Sequence, residues 1–177
     1  MIVVGSYGWD VMTDTPALRA RAAKTAMVAS LGIFGLLVAF NNVTDYGSNF
    51  AFVRHVLLMD TTFAGNALRW RAINAPLLWH LFYALIIACE FATGVLFCLA
   101  AWSMARAIRG DAGTFRRARS LVPVATALGF LLWFFGFSVV GGEWFVMWQS
   151  HDWNGQQPAF RFYMTMLAVC IFVQAPE

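Results

Sequence analysis

Arginine-rich segments divide this chain into long apolar runs, and the length of those runs constrains the fold more than any other feature of the sequence. A helix needs about 20 mainly apolar residues to cross a bilayer, and only helices or closed barrels satisfy their backbone hydrogen bonds there. We therefore predict an all-α, polytopic membrane protein with four transmembrane helices. The predicted spans are residues 26–41, 76–105, 121–140 and 159–173. A composition of 60% hydrophobic and 12% charged residues excludes an ordinary soluble domain.

The basic residues are distributed unevenly between the two sides of these spans. Eight lie on one side: Arg19, Arg21, Lys24, Arg106, Arg109, Arg116, Arg117 and Arg119. Four lie on the other side: Arg54, Arg69, Arg71 and Arg161. The positive-inside rule then places both termini in the cytoplasm, and residues 42–75 and 141–158 form an outward cap. The net charge of +3 is too small and too scattered to indicate nucleic-acid binding.

Local sequence signals predict how the cap is built. The segment Asn41–Asn49 is rich in Asn, Asp, Gly and Ser, and it is predicted to end the first span. Residues 50–75 are too charged to span but have helical periodicity, so we expect two short helices along the membrane surface, broken near residues 60–62. In the first span, Gly32 and Gly35 allow another helix to approach closely. Residues 1–14 are expected to form a loop or a surface arm.

Several motifs of the sequence resemble a known family. Residues 41–49 read Asn-Asn-Val-Thr-Asp-Tyr-Gly-Ser-Asn, and residues 141–150 read Gly-Gly-Glu-Trp-Phe-Val-Met-Trp-Gln-Ser. Together with residues 52–60, 153–156 and 160–162, they are similar to a bacterial family of predicted small integral membrane proteins of unknown function. The resemblance extends from about Lys24 to the end of the sequence. It implies a bacterial inner membrane and four spans, and it implies no catalytic or binding residue.

One face of the second predicted span carries polar groups into the membrane. At 100° per residue, His80, Tyr83, Ile87 and Glu90 fall within an arc of roughly 80°, with Glu90 about 15 Å deeper than His80. A carboxyl group at that depth must be protonated, be paired, or face a polar cavity. Two interpretations stay open. In the first, Glu90 transfers protons or binds a ligand. In the second, Glu90 is a protonated group that donates a hydrogen bond to a neighbouring helix, with Thr126 or Ser138 as acceptor.

Other titratable side chains are predicted on the outward side. They are His55, Asp60, His80, Glu143, His151 and Asp152. Their residue types suit zinc, copper or iron, but their spacing matches no metal-binding motif, and the outward arginines offer them ion-pair partners. Haem ligation by two histidines needs both at similar depth, and only His80 lies in a span. We predict no cofactor and expect bound lipid.

The segment 141–157 is long and aromatic for a turn between membrane helices, with Trp144, Trp148 and Trp153. These side chains are interpreted either as an aromatic belt at headgroup depth or as an interaction surface. We expect the segment to dock against residues 50–75. We also expect Glu143 to pair with an arginine of the cap or with Arg161, because a half-buried unpaired carboxylate is costly.

Three functional hypotheses follow from the sequence. The preferred hypothesis is a non-catalytic accessory subunit of a larger bacterial inner-membrane complex, respiratory or photosynthetic, with the lipid bilayer and other membrane subunits as partners. The first alternative is a small transporter or proton-conducting protein that uses Glu90. The second is a membrane enzyme that binds a metal or redox cofactor through the outward histidines and acids.

Overall fold

The computed structural model describes residues 15–176, and every regular element in that range is helical. The helices are α1 (Thr15–Thr44), α2 (Tyr46–Leu58), α3 (Pro76–Ala107), α4 (Ala112–Ala118), α5 (Leu121–Phe130) and α6 (Gln156–Gln174). A π-helical stretch, Leu131–Trp144, continues α5 and is called the π segment below. Two single 3₁₀ turns, Arg69–Arg71 and Met147–Gln149, lie in the cap. The expected surface arm, residues 1–14, lies outside the described residues.

Three helices are long and apolar enough to cross a membrane. They are Pro16–Thr44, Pro76–Ala107 and Ala112–Trp144, the last of which joins α4, α5 and the π segment. Helix α6 has 19 residues, begins with two glutamines, and carries Arg161. It packs antiparallel to α5. Its Tyr163 ring lies 5.6 Å from the Phe130 ring, and its Val173 carbonyl accepts a hydrogen bond from Arg119. The chain is therefore an integral membrane protein with several apolar helices.

Helices α1 and α3 are in backbone contact at their crossing point. A Cβ added at Gly35 would lie 2.9 Å from the Cα of Gly94, and one added at Gly94 would lie 2.6 Å from the Leu36 nitrogen. A Cβ at Gly32 would meet Cys98 equally closely. These contacts confirm that Gly32 and Gly35 allow close helix approach. Gly35 does so against a third glycine, Gly94, on the partner helix, and Gly32 does so against Cys98.

The end of the bundle opposite the cap, which we call the basic end, is held together by buried cations. Arg21, Lys24 and Arg119 are each less than a tenth exposed. They donate hydrogen bonds to carbonyl oxygens of Ile108 (3.2 Å), Gly110 (2.6 Å), Val173 (2.5 Å) and Ala175 (2.8 and 3.1 Å). The last carbonyls of a helix lack partners within the helix and favour cations. These three cations therefore fix the ends of α3 and α6, in addition to their predicted effect on membrane orientation.

The expected turn at Asn41–Asn49 is wrong in detail, because helix continues through most of it. Helix α1 runs to Thr44, only Asp45 interrupts it, and α2 begins at Tyr46. The Asp45 carboxylate accepts a hydrogen bond from the Ser48 hydroxyl at 2.8 Å in the first turn of α2. The side chain of Asn42 bonds to another helix, so it does not compete for the backbone of its own helix.

Of the two short helices expected over residues 50–75, one is present as a helix. Helix α2 is present, and it ends at Met59, whose φ is 51°, which confirms the break near residues 60–62. The second expected helix is reduced to the single turn Arg69–Arg71. Gly65 (φ 80°) makes a turn there, and the Asn66 side chain accepts a hydrogen bond from the Leu68 amide at 2.9 Å. Asn66 thus stabilises a turn where a longer helix was expected.

The π segment was not predicted from the sequence, which indicated an ordinary helix over 121–140. At its end, the Phe145 amide donates to the Val140 carbonyl five residues earlier, at 3.0 Å. Helices of this kind are rare beyond a single turn, and they occur frequently at functional sites. Gly136, Gly141 and Gly142 lie within this segment. The π segment begins beside the bundle core and ends in the cap, so it forms one side of the region described next.

Candidate functional site

Glu90 is buried in the bundle and is bound by a carboxamide from α1. Its side chain is 3% exposed, and its Oε2 accepts a hydrogen bond from the Asn42 Nδ2 at 2.7 Å. The Asn42 Oδ1 in turn accepts one from the Asn49 Nδ2 on α2 at 2.5 Å. The expected partners, Thr126 and Ser138, were wrong: the side chain bound to Glu90 is that of Asn42, and Thr126 donates to the Val122 carbonyl of its own helix at 2.9 Å.

Asn42 is the point at which α1, α2 and α3 are joined. The buried hydroxyl of Tyr83 donates to the Asn42 backbone carbonyl at 3.1 Å, so Asn42 is held by both its backbone and its side chain. Sequence reasoning missed Asn42 and Asn49. The available signal was their spacing of seven residues, which places two carboxamides on one face of a helix. That signal was overlooked because the segment was expected to form a turn and not a helix.

The predicted polar face of α3 divides into two parts in the structure. Tyr83 and Glu90 meet at Asn42, whereas His80 is exposed and lies in an aromatic cluster. The His80 Nδ1 lies 2.8 Å from the Tyr46 hydroxyl, and its ring stacks on Phe50 with centroids 4.3 Å apart. The two parts are linked through Tyr46, whose ring lies 4.6 Å from that of Tyr83. His80 is therefore connected to the carboxyl group indirectly, through Tyr46, Tyr83 and Asn42.

A cavity of about 430 Å³ extends from the cap to Glu90. Its polar lining consists of Asn41, Asn42, Asn49, Glu90, Asp152 and Asn154. Its aromatic lining consists of Phe52, Trp133, Phe137 and Phe162. Asp152 and Asn154 are exposed at the cap surface, whereas Glu90 and Asn42 are buried. Within residues 15–176, the Glu90 Oε1 accepts no hydrogen bond, because Asn42 binds only Oε2. One carboxyl oxygen is therefore available to a ligand in the cavity.

The aromatic side chains form two pairs along the cavity. Phe52 and Phe137 stack with centroids 5.9 Å apart, and Trp133 meets Phe162 edge to face at 5.7 Å. Gly155 packs against the first pair: a Cβ there would lie 2.8 Å from the Phe52 Cζ. A side chain at position 155 would therefore displace the ring of Phe52.

On its inner side, the cavity meets a tightly packed apolar core. This core fills the bundle between Glu90 and the basic end, and its fully buried members include Val28, Phe97, Ala100, Met104, Val122 and Ala125. The two buried hydroxyls in this region, those of Thr93 and Thr126, donate to carbonyls of their own helices, and the rest of the packing is apolar, which makes the passage of an ion or a hydrophilic solute costly. In this conformation the cavity therefore communicates with the cap and is closed towards the basic end.

The segment around Trp144–Trp153 docks on the rest of the cap, as expected. The Thr61 and Ser150 hydroxyls lie 2.8 Å apart, and the Phe63 amide donates to the Gln149 side chain at 3.2 Å. The guanidinium of Arg71 lies 4.6 Å from the Trp144 ring and donates to the Trp144 carbonyl at 3.2 Å. These contacts fix the position of the loop that carries Asp152 and Asn154.

The expected ion pair of Glu143 is wrong. Glu143 is exposed, and within residues 15–176 its carboxylate pairs with no arginine. Arg71, a cap arginine that contacts this segment, is bound to Trp144 instead. Arg161 is exposed on the second turn of α6. A solvated carboxylate has no need of a buried partner, so the expected cost of leaving it unpaired does not arise.

The remaining histidines and acids of the cap form separate pairs. His55 lies 2.9 Å from the Asp60 carboxylate and stacks on Trp153 at 4.6 Å. His151 lies 2.7 Å from Asp152, and this hydrogen bond raises the pKa of His151 above its usual value. In the part of the chain that the structure describes, no three His, Cys, Asp or Glu side chains are grouped to hold a metal.

The other predicted aromatic residues lie on the outer surface of the cap. Trp144 and Trp148 are each about half exposed, and Trp70 is 71% exposed. Trp148 meets Phe63 edge to face at 5.8 Å, and Trp144 meets Trp70 in the same way at 6.2 Å. The tryptophans of the cap therefore divide into Trp153, which packs on His55, and an exposed group that does not line the cavity.

Comparison with known proteins gives one match. The model of a family described as predicted small integral membrane protein (DUF2165) matches residues 20–176. No curated protein and no solved structure matches the chain.

Proposed function

Because the chain belongs to the DUF2165 family of predicted small integral membrane proteins, we propose its function from its own site: it is a small transporter or proton-conducting protein that binds its cation at Glu90. The observation that carries this proposal is the buried carboxyl group with one oxygen available to a cavity from the cap. Ionisable side chains within membrane spans are costly, and they mark ion and substrate pathways when they face a cavity.

The arrangement around Glu90 favours this function over a purely structural role for the carboxyl group. A structural hydrogen bond between α1 and α3 requires only the contact of Glu90 with Asn42. It does not require a polar cavity that continues to Asp152 and Asn154 at the surface. Carboxamides and one carboxylate are also suited to binding a proton or a small cation. The second alternative, a metal or redox enzyme, has no comparable support, because the histidines of the cap lie in separate pairs.

The membrane arrangement is part of the proposal. Helices α1, α3, α5 with the π segment, and α6 form four crossings of a bacterial inner membrane. This arrangement is supported by the course of α6, which runs from the cap to the basic end. Eight basic residues lie at the basic end and four at the cap end. The basic end and both termini are then cytoplasmic, and the cavity opens outward.

A second candidate function rests on a different observation. The exposed aromatic side chains of the cap, Phe63, Trp70, Trp144 and Trp148, are of the types enriched at protein interfaces. They favour the accessory-subunit hypothesis, in which the protein binds other subunits of an inner-membrane complex. The same side chains also suit contact with lipid headgroups. This hypothesis gives no role to the cavity, and for that reason we rank it second.

The transport proposal is tested by replacing Glu90 with glutamine, which keeps the size and the hydrogen bond of the side chain but removes its charge. Purified protein is placed in liposomes that contain a pH-sensitive dye, and proton flux is driven by a potassium diffusion potential. We expect flux from the unaltered protein, and we expect Glu90→Gln to reduce it to the level of empty liposomes.

Asp152→Asn is the matched control, because it also removes one carboxylate from the cavity but at the exposed surface. We expect it to retain at least half of the flux. If Glu90→Gln conducts as well as the unaltered protein, transport through Glu90 is refuted and the accessory-subunit hypothesis remains.

A further inference from the structure

We propose that the cavity binds a small organic cation that carries a primary or methylated ammonium group, with the nitrogen at the Glu90 Oε1. This inference rests on the proposed function, in which Glu90 is the cation site, and it names the class of ligand. Its support comes from the charge, the size and the aromatic lining of the cavity.

The charged groups of the cavity are all acidic. Of its lining residues, Glu90 and Asp152 are the two with ionisable side chains, and no Lys, Arg or His lines it among residues 15–176. An anionic ligand would therefore meet like charge at both ends of the cavity. A cation would be attracted at the surface by Asp152 and would reach Glu90 inside.

The size of the cavity favours an organic ion over a bare metal ion. At about 430 Å³, it lies within the range of roughly 300–1,000 Å³ that is typical of small-molecule sites. A calcium ion requires about six to eight oxygen ligands. Here the buried oxygen that is available is the Glu90 Oε1, since the Asn42 Oδ1 already accepts a hydrogen bond from Asn49.

The aromatic pairs provide the remaining surface that such a ligand needs. Phe52, Trp133, Phe137 and Phe162 line the cavity from α2, the π segment and α6. Aromatic faces attract ammonium groups when the charge lies within about 6 Å of the ring centroid, and Trp is the strongest of them. Rings also cover the methylene groups of an alkyl chain. A carboxylate with aromatic neighbours thus recognises both parts of an alkylammonium ion.

The hydrogen bonds around Glu90 leave one oxygen of its carboxylate for the ligand. Asn42 donates to Oε2, and the Tyr83 hydroxyl is bound to the Asn42 carbonyl. A primary ammonium N–H therefore donates to Oε1 without breaking any bond of this network, whereas a fully methylated ammonium has no N–H and is held there by its charge and by the aromatic rings. At the other end of the cavity, the Asp152 carboxylate is 73% exposed and accepts further donors of a longer ligand.

The test is a binding measurement on the full chain in detergent, which does not depend on transport. Butylammonium and tetramethylammonium are titrated by calorimetry, with butanol as the neutral probe of similar size. We expect both cations to bind and butanol to bind at least about tenfold more weakly, because it lacks the charge. Glu90→Gln should weaken binding of the cations by a similar factor and leave the weak binding of butanol unchanged.

A second variant keeps the test decisive if Glu90→Gln does not fold. Phe137→Leu removes one ring from the cavity lining, and Phe135→Leu removes a ring that is 53% exposed and does not line it. We expect Phe137→Leu to weaken the binding of tetramethylammonium several-fold and Phe135→Leu to leave it unchanged. Equal affinities for butylammonium and butanol would overturn the inference. Proton flux that depends on Glu90 without any binding of alkylammonium would also overturn it, while leaving the transport proposal intact.

Discussion

Asn42 binds the carboxyl group of the site, and its contribution to stability can be measured with its neighbour Asn41 as the control. Replacing Asn42 with Leu removes the donor to the Glu90 Oε2 and leaves a buried carboxyl group unsatisfied. Leaving such a group unpaired costs about 1–3 kcal/mol. We therefore expect Asn42→Leu to lower the thermal unfolding midpoint in detergent. Asn41→Leu should have little effect, because Asn41 is exposed.

The double variant tests the mechanism of that loss. If the cost arises from the unpaired carboxyl group, Glu90→Leu in the Asn42→Leu background should recover most of the stability, since removing both partners is nearly neutral. A double variant as unstable as the sum of the single variants would show that the two side chains act independently.

At the scale of the helices, the contact of α1 with α3 depends on the absence of side chains. Gly35→Ala would place a Cβ 2.9 Å from the backbone of Gly94, and backbone atoms do not yield as flexible side chains do. Overpacking of this kind costs about 1–3 kcal/mol. Gly47→Ala is the matched control in α2, because a Cβ there meets nothing within 4 Å. We expect a lower unfolding temperature for Gly35→Ala only. Equal changes of the unfolding temperature in both variants would mean that helix propensity, and not the contact with Gly94, determines them.

Helix α3 and the crossing glycines could be predicted from the sequence because their signals are local. A long apolar run after Pro76 indicates a helix wherever it packs, and small residues on a helix face indicate close approach. The π segment could not be predicted, since hydropathy does not distinguish i→i+5 from i→i+4 hydrogen bonding. The partner of Glu90 was missed for a different reason. Asn42 lies in a segment with the composition of a turn, whereas in the structure it belongs to α1 and its side chain bonds to Glu90 of α3.

At the scale of the whole molecule, the direction in which the cavity opens can be tested by labelling. In a background without Cys89, Cys98 and Cys170, a cysteine in place of His151 should react with an impermeant thiol reagent in intact spheroplasts. One in place of Ala112 should react only after lysis. His151 is suited to this test because its side chain is fully exposed, whereas the neighbouring Ser150 is buried against Thr61. The reverse labelling pattern would place the cavity on the cytoplasmic side.

The cavity is assembled from elements that are far apart in the order of synthesis. Val38 and Asn42 belong to the first helix described, and Pro158 and Phe162 to α6, which the ribosome makes after all the others. Until α6 packs against the other helices, Glu90 and Asn42 are uncovered on that side. A chain that stops before α6 therefore exposes a polar pair that the folded bundle buries, and exposure of this pair distinguishes an incompletely folded chain from a folded one.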